Sequence, residues 1–295
     1  MVNSSNPQRR SISLPTRLSS TPSFSQIETN LKKLKTLVPF YSSETIQTGF
    51  VCLVDLYLSV DGLIGSSQIQ QVNLESRNKG LVEAALIGST GLLDYYSKLM
   101  GFLTPMKENV RTLQSALRRK GSSEADRYLS DYVLYRNKAK KSMAKSLGLL
   151  DQMEKDSILF LGHGEDHHLS MVVGVLREIM TATISIFRAL LLCLFGKMKP
   201  TVKYGFSLIT KLVSTARPDC DENQEIVNDN DQIDVALHSL HKKFKNKGST
   251  VDEEQIVMEG LLNLDRQIER YEVGLDSLSR RLIQTRVSLL NILVN

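Results

Sequence analysis

Residues 257–292, VMEGLLNLDRQIERYEVGLDSLSRRLIQTRVSLLNI, place apolar or aromatic side chains at alternating steps of four and three, with a single polar exception. We call this line of residues the C-terminal seam: Val257, Leu261, Leu264, Ile268, Tyr271, Leu275, Leu278, Leu282, Thr285, Leu289 and Ile292. A 3.5-residue period keeps one side of a helix against a partner helix along its whole length. The pattern therefore predicts a long C-terminal helix buried along the seam, with Glu272 and Ser279 in the exposed phase.

The stretch from Lys79 to Lys120 repeats this spacing. Its positions are Leu92, Tyr96, Leu99, Leu103, Met106, Val110, Leu113 and Leu117. Pro105 lies inside the segment without shifting the phase, so one kinked helix is predicted. A second helix that starts at Pro105, with Thr104 as its N-cap, is the alternative. Because this face matches the C-terminal seam, we expect the two to pack within one chain and the protein to be a monomer. Self-association through the seam is the alternative.

Shorter apolar patterns predict further helices. They cover about residues 27–38, 45–64, 129–150, 171–195, 203–216 and 233–244. No stretch alternates with a two-residue period between hairpin turns, which argues against a sheet. We therefore predict an all-α fold, an antiparallel bundle of long helices with a long, heptad-patterned C-terminal helix of coiled-coil type.

The chain divides by composition into four parts. Residues 1–24 are rich in Ser and Arg and poor in large apolar side chains, so a disordered tail is expected. The helical bundle is assigned to residues 25–217 and an acidic linker to 218–232. Seven acids and no base lie from Asp219 to Asp234, which is typical of a solvated segment. The C-terminal helices, 233–295, are expected to pack back on the bundle.

Charge and cysteine content exclude some classes of protein. The net charge of +5 is scattered along the chain, so it favours acidic partners only weakly. Cys52, Cys193 and Cys220 are far apart and odd in number, which argues against a disulfide framework and against zinc spacing. We expect a reduced, cytoplasmic environment. Organelle targeting by the acid-free N-terminal tail is an alternative location.

The most apolar stretch runs from Met171 to Phe195. Arg177, Glu178 and Arg188 interrupt it, so it falls short of the roughly 20 apolar residues needed to span a bilayer. We predict a buried bundle helix here. Peripheral membrane association through this helix is the alternative function.

Metal-ligand residue types concentrate only in GHGEDHH, residues 162–168, which supply His163, Glu165, Asp166, His167 and His168. Imidazole and carboxylate groups suit zinc, but Gly164 breaks the helical spacing of the zinc-protease motif. A polar loop without metal is predicted, and a metal-dependent enzyme at this loop is a distant alternative.

Other patterns of catalysis are missing from the sequence. There is no Gly-rich phosphate loop and no nucleophile elbow, so we assign no catalytic residue and no cofactor and expect a protein that is not an enzyme. The basic clusters at 118–120 and 138–145 lack interleaved aromatics, which favours solvated helix faces and no nucleic-acid partner. His238 and His241 are expected on a solvated edge.

The N-terminal tail contains two matching phosphorylation frames. Arg10 stands three residues before Ser13, and Pro15 two after it, with Ser11 a second hydroxyl in the frame. Seven residues on, the frame recurs with Arg17, Ser20 and Pro22. A phosphoserine would add nearly two negative charges for an Arg-rich reader. The first frame fits the 14-3-3 recognition pattern, so we expect protein partners, with 14-3-3 proteins as candidates.

These tail residues, with five further landmarks, resemble a plant-specific family now grouped as BYPASS-type proteins and once classed as a domain of unknown function. The landmarks are RSISLPTR at 10–17, LVDLY at 53–57, LLD at 92–94, MKE at 106–108, LQSALRR at 113–119 and RRLIQTRVSLLNIL at 280–293.

The resemblance covers nearly the whole chain. It implies a link to root and shoot growth and supplies no catalytic residues. Members usually have a plainer loop than 163–168, so it gives no support for a metal site. Together, these observations predict a non-enzymatic helical scaffold or regulator with a phosphorylatable tail.

Overall fold

A computed structural model describes residues 24–37, 42–72, 76–119, 122–159, 166–196, 229–245 and 251–294. The regular structure in these ranges is helical throughout, which confirms the predicted all-α fold. The helices are α1 (Phe24–Leu37), α2 (Ser43–Ile64), α3 (Ser67–Gln70), α4 (Ser76–Arg118), α5 (Ser122–Leu159), α6 (His167–Phe195), α7 (Asp229–Lys245) and α8 (Val251–Val294).

The C-terminal seam is buried over its full length, as its spacing predicts. α8 packs through it against α4 and α2. Gln114 Nε2 donates to the Leu261 carbonyl at one end of the α4 contact, and Arg286 Nη1 donates to the Leu86 carbonyl at the other. This order makes α4 and α8 antiparallel.

Helix α2 runs in the same direction as α8. Phe50 lies against Gly274 near one end of the contact, and Asp61 lies near Thr285 about three turns further on. A Cβ atom at Gly274 would stand 2.5 Å from Cδ2 of Phe50. Glycine at this position therefore lets the two helices approach closely.

The prediction that Glu272 and Ser279 are exposed is wrong. The Glu272 side chain is 18% exposed and pairs with Lys107, and Ser279 is 8% exposed. A heptad pattern identifies only the residues in the middle of a contact between two helices. Because α8 has α4 on one side and α2 on the other, its buried surface extends well beyond that line.

Pro105 lies inside α4, which continues on both sides of it, so the prediction of one helix is confirmed. Proline cannot donate a backbone hydrogen bond, and this leaves the carbonyl of Gly101 without its helical donor. Gly101 is exposed, where water can supply that bond.

Helix α6 occupies the middle of the bundle and contacts α1, α2, α3, α4, α5 and α7. It begins one turn before the predicted start because the Asp166 side chain caps it, accepting from Leu169 N at 2.7 Å. By length and composition, α2 and α6 could each cross a membrane, but 78% of the apolar window of α6 is buried inside the bundle. This burial favours a core helix.

Other parts of the fold also differ from the sequence prediction. A short helix, α3, begins at Ser67, shortly after the predicted helix at 45–64, where the sequence predicts no further helix. Helix α7 begins at Asp229, inside the predicted acidic linker, and packs on α5, α6 and α8. The predicted helix at 203–216 lies outside the described residues.

Candidate functional site

The predicted phosphorylation and partner-binding residues lie outside the described part of the chain. They are Arg10, Ser11, Ser13, Pro15, Arg17, Ser20 and Pro22. The tail switch and its 14-3-3 reader therefore stay predictions.

The histidine-rich loop is described only at its end. His163 and Glu165 lie outside the described residues, whereas His167 and His168 are exposed in the first turn of α6, with ring centroids 6.2 Å apart. Helix α6 therefore begins inside the predicted loop. Within the described ranges, no three His, Cys, Asp or Glu side chains are grouped so that they could hold a metal ion.

The predicted basic face of α5 is exposed at Lys138, Lys141 and Lys145. Lys140 differs, because its Nζ donates to Asp234 Oδ2 at 2.7 Å. His241 is also not on a solvated edge. Its Nδ1 lies 3.5 Å from Asp126 Oδ1 of α5, and only His238 is exposed as predicted.

Arg136 joins three helices and is 4% exposed. Its Nε and Nη2 donate to the Asp234 carboxylate of α7 at 2.9 and 2.6 Å, a bidentate pair, and Nη1 donates to the Leu194 carbonyl at 2.6 Å. That carbonyl belongs to the last turn of α6, where the helix dipole favours a cation. We call Arg136, Lys140 and Asp234 the polar clamp.

The polar clamp corrects the sequence analysis, which assigns Asp234 to a solvated acidic run. Burial alone would raise the pKa of Asp234, but Arg136 and Lys140 hold it below its usual value. The sequence contained one indication that a carboxylate pairs with Arg136. Arg136 occupies the buried face of α5, and a buried guanidinium requires a carboxylate partner.

Polar contacts along one flank fix α8 against α4. Lys107 Nζ lies 2.6 Å from Glu272 Oε2, and Arg111 Nε lies 2.9 Å from Asp265 Oδ1. Further along, Tyr96 Oη donates to Asp276 Oδ1 at 2.6 Å. Ion pairs that water still reaches, such as Arg111 with Asp265, contribute little stability, so their main effect is to hold the two helices in one register.

Towards the C-terminus this flank becomes apolar and faces solvent. Four side chains at steps of four, three and four are between 42% and 85% exposed. We call them the outer stripe: Ile283, Val287, Leu290 and Val294. Arg286 holds this part of α8 on α4 through the Leu86 carbonyl and Thr90 Oγ1. The outer stripe is therefore an apolar line on a helix that is held in place. Its steps of four and three form a second heptad pattern beside the C-terminal seam, and this pattern is visible in the sequence.

Asp61 is a shielded carboxylate between α2 and α8. Neither of its oxygens, nor the Thr285 hydroxyl, has a well-formed hydrogen bond in the described residues. Burial raises the pKa of Asp61 to about 6, although the nearby Thr285 hydroxyl and the Arg281 charge oppose the rise. Thr285, the polar exception in the C-terminal seam, therefore faces a polar group.

A cleft of about 150 Å³ opens between α4, α5 and α6. Its walls are apolar, with Ala84 and Gly88 on α4, Met153 on α5 and Met180 on α6 among them. Asp156 and Arg177 are its charged lining residues. The cleft cannot be predicted from the sequence, because its walls come from three separate helices.

Comparison with known proteins identifies the family of the chain. The model of one protein family, described as Protein BPS1, matches residues 49–292, from the first turns of α2 to the end of the C-terminal seam. No curated protein and no solved structure matches the chain. The matched range includes the polar clamp, the cleft and every residue of the outer stripe except Val294. The resemblance to BYPASS-type proteins is thereby confirmed, and the chain belongs to the BPS1 family.

Proposed function

We propose that this protein is a non-enzymatic helical scaffold or regulator of root and shoot development that acts by binding other proteins. Membership of the BPS1 family supports the developmental role. The proposed scaffold role rests on the geometry of α8, described next.

The observation that carries the proposal is the outer stripe. Apolar side chains at heptad spacing suit an amphipathic helix of a partner, which would bury them in the same way that the seam is buried. The underlying helix is already fixed by α4 and α2, so binding would not have to order it. A pre-ordered apolar surface is what a scaffold offers to its partners.

The predicted tail would add regulation. Phosphorylation of Ser13 and Ser20 would create two linked sites for a 14-3-3 protein, and the second would bind at a raised effective concentration. A doubly phosphorylated tail peptide should therefore bind 14-3-3 more tightly than either singly phosphorylated form. Equal binding by phosphorylated and unmodified peptides would contradict this part of the proposal.

Affinity purification from root tissue tests the scaffold role, with and without phosphatase treatment. The parent chain is compared with Val287→Glu, which places a charge in the outer stripe, and with Val51→Glu, a matched change at an exposed valine of α2. We expect Val287→Glu to lose partners that Val51→Glu retains. The same proteins recovered with both variants would exclude the outer stripe as the binding surface, and no enrichment over an unrelated bait would exclude the scaffold role.

Peripheral membrane association is the second candidate function. The exposed lysines of α5 are its best support, since cations near a membrane surface attract anionic lipids. Cell fractionation separates the two functions. A pool of the protein released without detergent supports the scaffold, and complete retention in the membrane pellet supports membrane association. For the scaffold we propose a monomer in the cytoplasm.

A further inference from the structure

The cleft between α4, α5 and α6 is small, with a volume of about 150 Å³. Small side chains at Ala84, Ala85 and Gly88 keep the α4 wall back, and Val173 and Met180 face it from α6. An apolar cavity of about 150 Å³ can hold one benzene ring. The flexible thioethers of Met153 and Met180 would allow the walls to adjust to the shape of a ligand.

The two charged residues that line the cleft, Asp156 and Arg177, differ in whether they already have a partner within the protein. Asp156 Oδ1 accepts a hydrogen bond from Gln152 Nε2 at 2.8 Å along its own helix. The Arg177 guanidinium, half-buried on α6, makes no hydrogen bond or ion pair with any described residue. Arg177 can therefore give a ligand its donors without breaking a contact, and its planar fork suits a carboxylate.

We propose that the cleft binds a small monocarboxylate. An apolar body of about six carbons, preferably a ring, fits between the three helices, and the carboxylate pairs with Arg177. Asp156 repels a second negative charge, so the site favours monoanions over dianions. The bound molecule would join α5 to α4 and α6.

Calorimetric titration of the full-length protein tests the proposal with three probes of one shape: cyclohexanecarboxylate, cyclohexylmethanol and cyclohexylmethylamine. A hydrogen-bonded charge pair strengthens binding by about tenfold or more. We expect the carboxylate to bind at least tenfold more tightly than the alcohol, and the amine to bind no better than the alcohol. Arg177→Gln should remove the advantage of the carboxylate and leave the alcohol unaffected.

Two further variants separate a specific site from a general effect. Ala84→Leu fills the cleft and should abolish binding of both the carboxylate and the alcohol. Arg280→Gln removes an exposed arginine from α8 and should change neither. The proposal is overturned if no probe binds, if all three bind equally, or if Arg177→Gln binds the carboxylate as the parent does. Melting temperatures of the variants show whether each remains folded.

Discussion

Replacing Asp61 by Asn should stabilise the protein near neutral pH. Both carboxylate oxygens are shielded from water, and neither has a well-formed hydrogen bond in the described residues. An ion in this position loses hydration without full compensation. The pKa of Asp61 rises from 3.8 to about 6 as a result, with burial as the main cause.

The sign of the pH effect follows from this rise. Between about pH 4 and 6 the folded chain binds the Asp61 proton more tightly than the unfolded chain does, so the free energy of unfolding falls as the pH increases. Above about pH 6 Asp61 is ionised in both the folded and the unfolded chain, and the loss in the free energy of unfolding stays constant. A rise of this size corresponds to about 3 kcal/mol when the group is fully buried. Although its two oxygens are shielded, the residue as a whole is only half-buried, and solvent screening reduces the expected loss to about 1–2 kcal/mol.

Urea unfolding at several pH values between about 4 and 8 measures this difference. Asp61→Asn should exceed the parent by about 1–2 kcal/mol near pH 7.5 and match it more closely near pH 4. Asp55→Asn, an exposed change on the same helix, is the control and should follow the parent profile. If the Asp61→Asn and parent profiles run parallel across this range, Asp61 carries no buried charge and the reasoning fails.

Two further predictions concern the seam and the polar clamp. Leu275→Ala and Leu282→Ala should each lower the free energy of unfolding by about 2–5 kcal/mol, because both side chains are fully buried, whereas the exposed Val273→Ala should change it by less than about 0.5 kcal/mol. Asp234→Ala should cost about 3–5 kcal/mol, because it leaves the buried Arg136 charge without its carboxylate. Joint replacement of Arg136 by Met and Asp234 by Ala should recover most of that loss. Urea unfolding measures the seam variants and, from the two single clamp variants and the double variant, the coupling. A double variant whose loss equals the sum of the two single losses would show that the pair is not coupled.

Apolar periodicity was enough to predict the long helices. The seam residues of α8 lie on one side of one helix, so their spacing along the chain reports their burial directly. α4 was predicted through Pro105 for the same reason, since a kink does not interrupt the phase. The exposure of Ser279 could not be judged in this way. It depends on how many neighbours α8 has, and no spacing within α8 reports that number.

The polar clamp and the cleft depend on contacts between distant parts of the chain. Arg136 and Asp234 are separated by 98 residues. Their pairing follows only once α7 is placed beside α5. The acidic run around Asp234 resembles a solvated linker because composition averages over neighbours, whereas burial is decided one residue at a time. The cleft likewise arises where small residues of α4 meet α5 and α6, and no local pattern describes a space between helices.

The buried polar residues have a role that the apolar faces cannot perform. An apolar seam with a heptad repeat can slip by seven residues and still bury apolar side chains, so periodicity alone leaves the register of two helices open. Gln114 Nε2 donates a hydrogen bond to one carbonyl, that of Leu261. Tyr57 Oη is hydrogen-bonded to one hydroxyl, Thr183 Oγ1, at a distance of 3.1 Å. In any slipped arrangement these groups would be buried without partners, which costs more than the hydrogen bonds contribute. We infer that the apolar pattern selects which helices form and that these few polar residues select how they align.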